Sequence, residues 1–297
     1  MENKPTLIVI TGPTASGKSA LAVEVARRLG TDIISADSRQ IYTGIPIVTA
    51  LPTPEERAAV PHHLIDMLPP DAYYSASLFE QDALRIAGKL FERKGTAVVC
   101  GGSMMYVDAL CNGIDLLPTV PDDIRRGLAR EVEEKGNEWL IAELAKLDPQ
   151  YHASADLRNI KRVFHAVEIS RTAGRPYSGL ITGNRVERPF RILKFLLAPP
   201  RPVLFERINL RVDRMVAEGL EEEARRVFPF RHLNSLNTVG LKEMFAYFDG
   251  QMTREVAIER IKKNTRVYAK KQMTWWSRDP DVIPVDGYSS LLERLTN

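Results

Sequence analysis

Cysteine is scarce in this chain: Cys100 and Cys111 are the only two in 297 residues. Their number and spacing exclude a disulfide framework and a structural zinc site, which draws on closely spaced ligand pairs. Long apolar runs are missing as well. No stretch reaches the roughly 20 residues of a membrane-spanning helix. The opening MENKPTLIVIT lacks the pattern of a secretory signal, so a cytoplasmic protein without a membrane partner is expected. Strong charge of either sign is also lacking, with 41 basic against 38 acidic residues and a formal net charge of +3. A total that mild neither requires nor excludes a nucleic-acid partner; the distribution of charge carries the information. There are no internal repeats or low-complexity tracts. What remains is a globular composition, 44% hydrophobic. It suffices for one large α/β domain, or a core domain plus a smaller one.

What is present is concentrated in residues 7 to 29, LIVITGPTASGKSALAVEVARRL. Leu7 to Ile10 reads as a strand buried on both faces. Gly12, Pro13, Thr14, Ala15, Ser16, Gly17, Lys18 and Ser19 then match the phosphate-binding loop G-x-x-x-x-G-K-[ST] at every fixed position. From Lys18 the apolar residues Leu21, Val25 and Leu29 recur at helical spacing. The chemistry needs this order. Glycines let backbone N–H groups turn inward as an anion nest, and the helix adds its unpaired N-terminal donors. Lys18 supplies a mobile full charge, and the Ser19 hydroxyl is a ligand for Mg²⁺ bridging phosphate oxygens. The chain is expected to bind a nucleotide such as ATP, or another di- or triphosphate. The loop alone does not say which, or what is done to it.

A second short strand, Ile33 to Ala36, ends just before Asp37. In a parallel α/β sheet, ligands sit in the crevice at the carboxyl ends of the strands. Asp37 there suits a Mg²⁺ contact, a general base, or the cap of a following helix. His62 and His63 are adjacent in extended chain and point to opposite sides. They make a poor metal pair and read as hydrogen-bonded residues at the back of a cleft. Ala76 to Arg93 reads as an amphipathic helix and Thr96 to Cys100 as a third buried strand. Gly101-Gly102-Ser103 opens another strand-to-helix turn, with Ser103 either meeting a ligand or capping the helix.

From about Pro118 the texture changes. Residues 122 to 173 are helix-forming and charged, with breaks at Gly136 and Asp148-Pro149. Residues 174 to 190 are turn formers, and a strand pattern returns at Ile192 to Ala198. The spacing predicts a helical insertion over 118–190, hung on a P-loop parallel-sheet core formed by 1–117 and 191–297. The last hundred residues read as helical and basic. In Glu259 to Trp276, Ile261, Tyr268 and Trp275 form an apolar stripe, with Lys262, Arg266 and Lys270 beside it. That basic edge is either a solvated face or a rail along nucleic-acid phosphates.

A P-loop first suggests a small-molecule kinase. Against this, the third strand ends in Cys-Gly-Gly and offers no second carboxylate for Mg²⁺. The nest can instead hold the diphosphate of a substrate that is itself the leaving group. GPTASGKS, SADSRQIY, VPHHLID, GGSMMYVDAL, RINLRVDRMVAEGL, NTVGLKE and TRVYAKKQMTW stand in this order from residue 7 to about 276. Together they resemble the tRNA dimethylallyltransferase family, the tRNA A37 isopentenyltransferases. The resemblance implies an α/β P-loop core with a helical insertion. It also implies transfer of a dimethylallyl group from its diphosphate to N6 of adenine 37, releasing pyrophosphate.

Residue by residue, the resemblance implies that Thr14, Lys18 and Ser19 hold the diphosphate with Mg²⁺ on Ser19. Asp37 would accept a proton from N6, Arg211 would clamp the departing pyrophosphate, and Ser103 would touch the target nucleotide. Ser38, Arg39 and Gln40 beside Asp37 would contact tRNA, as would Asn237, Gly240 and Lys242. Arg125, Lys161, Arg162 and His165 would do so from the insertion, and Arg266 and Lys270 from the basic helix. This chain has Ser at positions 19 and 103 where the family usually has Thr. It has His165 where Arg is common, and Leu241 where Tyr is common. A monomer is expected. The alternatives are a relative that prenylates free adenine nucleotides, which would need neither insertion nor basic helix, and the kinase.

Overall fold

Alternation inside the first apolar run decides the architecture. β1, Thr6–Thr11, sends Leu7 and Val9 into one hydrophobic cluster and Ile8 and Ile10 into another, because successive side chains of a strand point to opposite faces. A strand buried on both sides belongs inside a parallel sheet covered by helices. The computed structural model, which describes residues 4–183 and 185–296, contains that sheet. β2 (Ile33–Ser35), β3 (His62–His63), β4 (Thr96–Cys100), β5 (Arg191–Leu197) and β6 (Val282–Val285) join β1 in the order β3-β2-β4-β1-β5-β6. Every pairing is parallel, and Ile8 of β1 lies opposite both Val98 and Leu193.

Helices cover both faces. α1 (Lys18–Leu29) lays Leu21, Ala22, Val25 and Ala26 on the Ile8 side. Two short helices, α2 (Pro46–Thr49) and α3 (Pro54–Ala59), follow β2. α4 (Ala76–Lys94) and α5 (Met104–Asn112) cover the Leu7 side with Phe79, Ala83, Leu90 and Leu110. The Ser75 side chain accepts a hydrogen bond from the Leu78 N–H at 3.2 Å to start α4, and Gly95, at φ 69°, ends it.

The chain divides into two compact units, Gly113–Val186 and the described residues on either side of it. These boundaries fall a few residues before the 118 and 190 expected from composition. At the far end, Arg188 belongs to the sheet unit: it pairs with Glu80 and donates to the carbonyls of Ala109 and Leu110. Within the inserted unit, α6 (Asp122–Leu147) is interrupted at Gly136, at φ 82° and ψ 175°, and is followed by α7 (Pro149–Ser154) and α8 (Ile160–Ala173). Leu128, Leu140, Leu144, Val163 and Val167 form its core. Asn184, inside the turn-forming stretch, lies outside the described residues.

Asp148 is fully buried between α6 and α7. It accepts from the Tyr151 N–H at 2.9 Å, the Ser178 N–H at 2.6 Å and the Ser178 hydroxyl at 2.8 Å. Asp148→Ala would remove the cap of α7 and orphan these partly buried donors, so it should cost about 2 kcal/mol of stability. Urea unfolding checks this; an unchanged midpoint would mean the three donors find water at no loss.

Four helices build a second core of the sheet unit: α9 (Arg201–Ala217), α10 (Leu220–Val227), α11 (Leu241–Phe248) and α12 (Arg254–Trp276). Val212, Met215, Leu220, Leu241, Met244 and Ile261 pack on Ile41, Ile45 and Val48, the segment that follows Asp37. α13 (Tyr288–Thr296) is the last of the described helices. The last hundred residues are therefore not wholly helical, as β6 adds an edge strand. Lys194 in mid-β5 is buried because Asp279, just before β6, neutralises it.

Candidate active site

The loops at the carboxyl ends of β1, β2 and β4 converge. After β1 the chain must turn where no side chain fits: a Cβ at Gly12 would lie 2.4 Å from the Leu197 carbonyl oxygen. Gly17 sits at φ 98°, in the left-handed region. It heads α1 without a side-chain cap, so the first amides of the helix are open to an anion. Lys18 folds back over the loop and donates to the Pro13 carbonyl at 3.2 Å. Burial lowers the pKa of its ammonium, with Arg211 pushing the same way and Cys100 and Asp37 opposing. The Arg211 guanidinium, on α9, is likewise lowered by burial and raised by Asp37. Two cations and one carboxylate thus share one electrostatic environment.

Asp37 stands just past β2. Its Oδ1 accepts from the backbone N–H of Arg39 at 2.9 Å and of Gln40 at 3.4 Å. This fixes a turn rather than starting a helix. Ser103 closes the gap to β4: its hydroxyl accepts from the Ser38 N–H at 2.8 Å and donates to the Ser38 hydroxyl at 3.2 Å. Gly101 permits the approach, since a Cβ there would lie 2.2 Å from the Ala36 carbonyl oxygen. Thr14, Lys18, Ser19, Asp37, Ser38, Ser103 and Arg211 all line one cleft of about 330 Å³. Val48, Val212, Met215 and Ile261 add apolar side chains to the same lining.

The tRNA contacts inferred from sequence divide into groups. Asn237 and Lys242 line the cleft. Gly240 heads α11 at φ 102°, where a Cβ would lie 2.4 Å from Val48. Leu241 is fully buried and offers no ring or surface to a base. Arg39 and Gln40 line the cleft but spend their donors on the chain itself. Arg39 binds the carbonyls of Asn234, Ser235 and Asn237, and Gln40 those of Thr49 and Ala50. Arg125, Lys161, Arg162 and His165 belong to the inserted unit. There Arg125 and His165 both engage Glu168 at 2.9 Å, and Lys161 and Arg162 are exposed on the first turn of α8.

The basic edge of α12 is more engaged than its spacing suggests. Lys262 pairs with Asp213 at 2.8 Å, Arg266 donates to Asn209, and Lys270 lies over the Phe205 ring at 5.6 Å. All three partners are on α9. The apolar stripe also differs from that read in the sequence. Ala257, Ile261, Ala269, Gln272 and Trp276 are the buried residues of α12, whereas Tyr268 faces the cleft. Burial pushes the Tyr268 phenol up to about 12, with Asp37 adding to the shift. Periodicity could not separate a ring that packs from one that lines a hollow. Gln272, which bonds to Thr14 and Gly102, stands within TRVYAKKQMTW but drew no role from the sequence, because a lone glutamine matches no chemical pattern.

His62 lines the cleft with Nδ1 2.8 Å from the Val60 carbonyl oxygen, and His63 Nε2 lies 2.9 Å from Asp32. The described residues contain no cluster of three or more His, Cys, Asp or Glu suited to a metal. A hard cation would therefore rely on phosphate oxygens and water, with one or two protein oxygens. Ser19 and Asp37 offer such oxygens on the same cleft. Burial pushes the neighbouring Cys100 thiol up to about 11. No helix among the described residues is long and apolar enough to cross a membrane.

Comparison with known proteins agrees with this geometry. The IPP transferase family profile matches residues 40–279. A tRNA dimethylallyltransferase 2 of Parabacteroides distasonis is 52% identical over 93% of this chain and 93% of its own length. The crystal structure of a full-length tRNA isopentenylpyrophosphate transferase from Bacillus halodurans superposes with a TM-score of 0.70 at 37% identity, covering 95% of this chain and 90% of that one. A eukaryotic dimethylallyltransferase captured acting on tRNA gives a TM-score of 0.79 at 25% identity, covering 94% of this chain and 73% of that one. The chain belongs to the IPP transferase family.

Proposed function

We propose that this enzyme is a tRNA dimethylallyltransferase, moving a dimethylallyl group from dimethylallyl diphosphate to N6 of adenine 37 and releasing pyrophosphate. The observation that carries this reading is the sharing of one cleft by Lys18 and Arg211, suited to a leaving diphosphate, and by Asp37, suited to a proton. In the reaction the bond between the prenyl C1 and the diphosphate oxygen breaks, and its electron pair leaves with pyrophosphate. N6 forms the new bond to C1 and gives a proton to the Asp37 carboxylate. An exocyclic amine is a weak nucleophile, so positioning and charge stabilisation of the leaving group supply most of the acceleration. Lys18, Arg211 and the open amides at the start of α1 provide that stabilisation. Mg²⁺, held by the Ser19 hydroxyl and substrate phosphates, would supply further neutralisation of the diphosphate. The apolar lining residues Val48, Val212 and Met215 suit the prenyl tail. The acceptor base must leave its stack to enter a cleft of this size, which costs less in an anticodon loop than in a duplex.

The enzyme is read as a cytoplasmic monomer acting on the anticodon stem-loop. The deciding assay incubates it with dimethylallyl diphosphate, Mg²⁺ and unmodified tRNA. Adenosine gaining the mass of one five-carbon prenyl group is expected. Transfer to free adenine nucleotides but not to tRNA, or ATP turnover without prenyl transfer, would overturn the proposal in favour of a nucleotide prenyltransferase or a kinase.

The basic edge of α12 yields its own expected result. Lys270 is exposed, so Lys270→Ala should lower the salt-dependence slope of tRNA binding by about one while leaving the fold intact. Arg266 also holds Asn209, so Arg266→Ala should flatten the slope and reduce thermal stability together. Binding measured across a salt series checks both. An unaltered slope in each variant would return this edge to a role in helix packing alone.

A further inference from the structure

Gln272 is 2% exposed, yet it reaches the wall of the cleft. Its side-chain carbonyl accepts from the Thr14 N–H at 2.9 Å, and its amide nitrogen donates to the Gly102 carbonyl at 2.9 Å. One carboxamide therefore ties together two strand-to-helix turns that are far apart in sequence. Space around it is exclusive: a Cβ at Gly102 would lie 2.4 Å from the Gln272 amide nitrogen. Next to Thr14, Ala15 sits at φ 64°. A residue with a side chain holds that conformation only when its surroundings impose it. The bond to Gln272 also commits the Thr14 N–H, leaving a phosphate to the amides that follow. One helical turn before Gln272, α12 presents Tyr268 to the same cleft.

We infer that Gln272 is a positioning residue for the diphosphate site. Its carboxamide locks the phosphate loop to the Gly101–Gly102 turn and to α12, setting the loop conformation that receives the diphosphate before substrate arrives. This rests on reading the loop as the diphosphate site. It goes further by giving the loop's shape an origin outside its own sequence. A free loop would have to be ordered at each binding event, and that cost falls on diphosphate affinity.

The test titrates pyrophosphate with Mg²⁺ into the full chain and into Gln272→Leu and Gly102→Ala. Gln272→Leu removes both hydrogen bonds at similar size; Gly102→Ala keeps the glutamine but denies its amide the space. Pyrophosphate affinity should fall about tenfold in each. The KM for prenyl diphosphate should rise by a like factor, while the KM for tRNA stays within about twofold. Pyrophosphate bound equally well by the variants and the unaltered chain overturns the inference. So does a matched loss for both substrates with a lowered Tm, which marks a purely structural role. If Gln272→Leu does not fold, Gly102→Ala gives the same decision. Failure of the unaltered chain to bind pyrophosphate is a separate result: it removes the diphosphate reading, and the inference with it.

Discussion

Lys18→Ala should lower single-turnover prenyl transfer by about a hundredfold or more, with tRNA affinity unchanged. Lys18 is the one residue of the loop that brings a full charge, and it already lies against the loop through the Pro13 carbonyl. Bringing it there costs solvation in the free enzyme, as its lowered pKa records. On the proposed reaction, the charge that builds on the diphosphate oxygens in the transition state would recover that cost. Removing one charge-assisted contact from a transition state commonly costs about 3 kcal/mol, hence the hundredfold. Arg211 shares the environment and survives in the variant, so a residual rate should persist. Double substitution with Arg211→Ala should be less than additive in free energy if both cations act on the same charge. Near-unaltered turnover in Lys18→Ala would mean that the diphosphate sits elsewhere.

Asp37→Asn should slow the chemical step by about 10² to 10⁴ while tRNA binds almost normally. Asparagine keeps the size and the Oδ1 acceptor, so the turn held through Arg39 and Gln40 should persist. It cannot take a proton at neutral pH. A carboxylate that chiefly holds Mg²⁺ would behave differently: diphosphate affinity would fall, and excess metal would partly restore it. A residue that only shapes its turn would leave the rate within a few-fold of the unaltered enzyme. Single-turnover rates at saturating tRNA and two Mg²⁺ concentrations separate these results. A rate that hardly moves would remove Asp37 from the mechanism.

The parts of the site readable from sequence were those in which local chain and chemistry coincide. Gly12 to Ser19 carries strand, turn, nest and helix start within one short segment, so pattern alone located it. Asp37 was legible because it follows a short apolar strand in an α/β arrangement, where ligands gather at carboxyl ends. Residues that act through distant partners were not. Arg39 and Gln40 were expected to contact tRNA from beside Asp37, but carbonyls at 234–237 and 49–50 take their donors. Tyr268 was read as part of an apolar stripe, because helical period gives a direction without saying what stands there; it lines the cleft. β6 escaped notice because Val282 to Val285 is short, includes Pro284, and gains its pairing only from β5. The α/β class, the parallel sheet and the family followed from the sequence, since several independent signals agreed on each.

The position of β5 has a consequence for how the enzyme is made. β1 pairs on one side with β4 and on the other with β5, joining Thr6 to Arg191 across the whole of the inserted unit. On the ribosome, the first strand therefore waits on the order of ten seconds or more for its second neighbour. During that interval β1, β2 and β4 can pair, but the flank of β1 later covered by β5 stays open, an unpaired edge of apolar residues. Gly113–Val186 has a core of its own and can condense as it emerges, which keeps its apolar side chains away from that edge. The nascent chain should accordingly be most prone to aggregation, and most in need of chaperones, between emergence of Thr96–Cys100 and arrival of Arg191–Leu197. Truncations ending just before residue 191 should be insoluble, while those that include β5 and the helices after it should recover solubility.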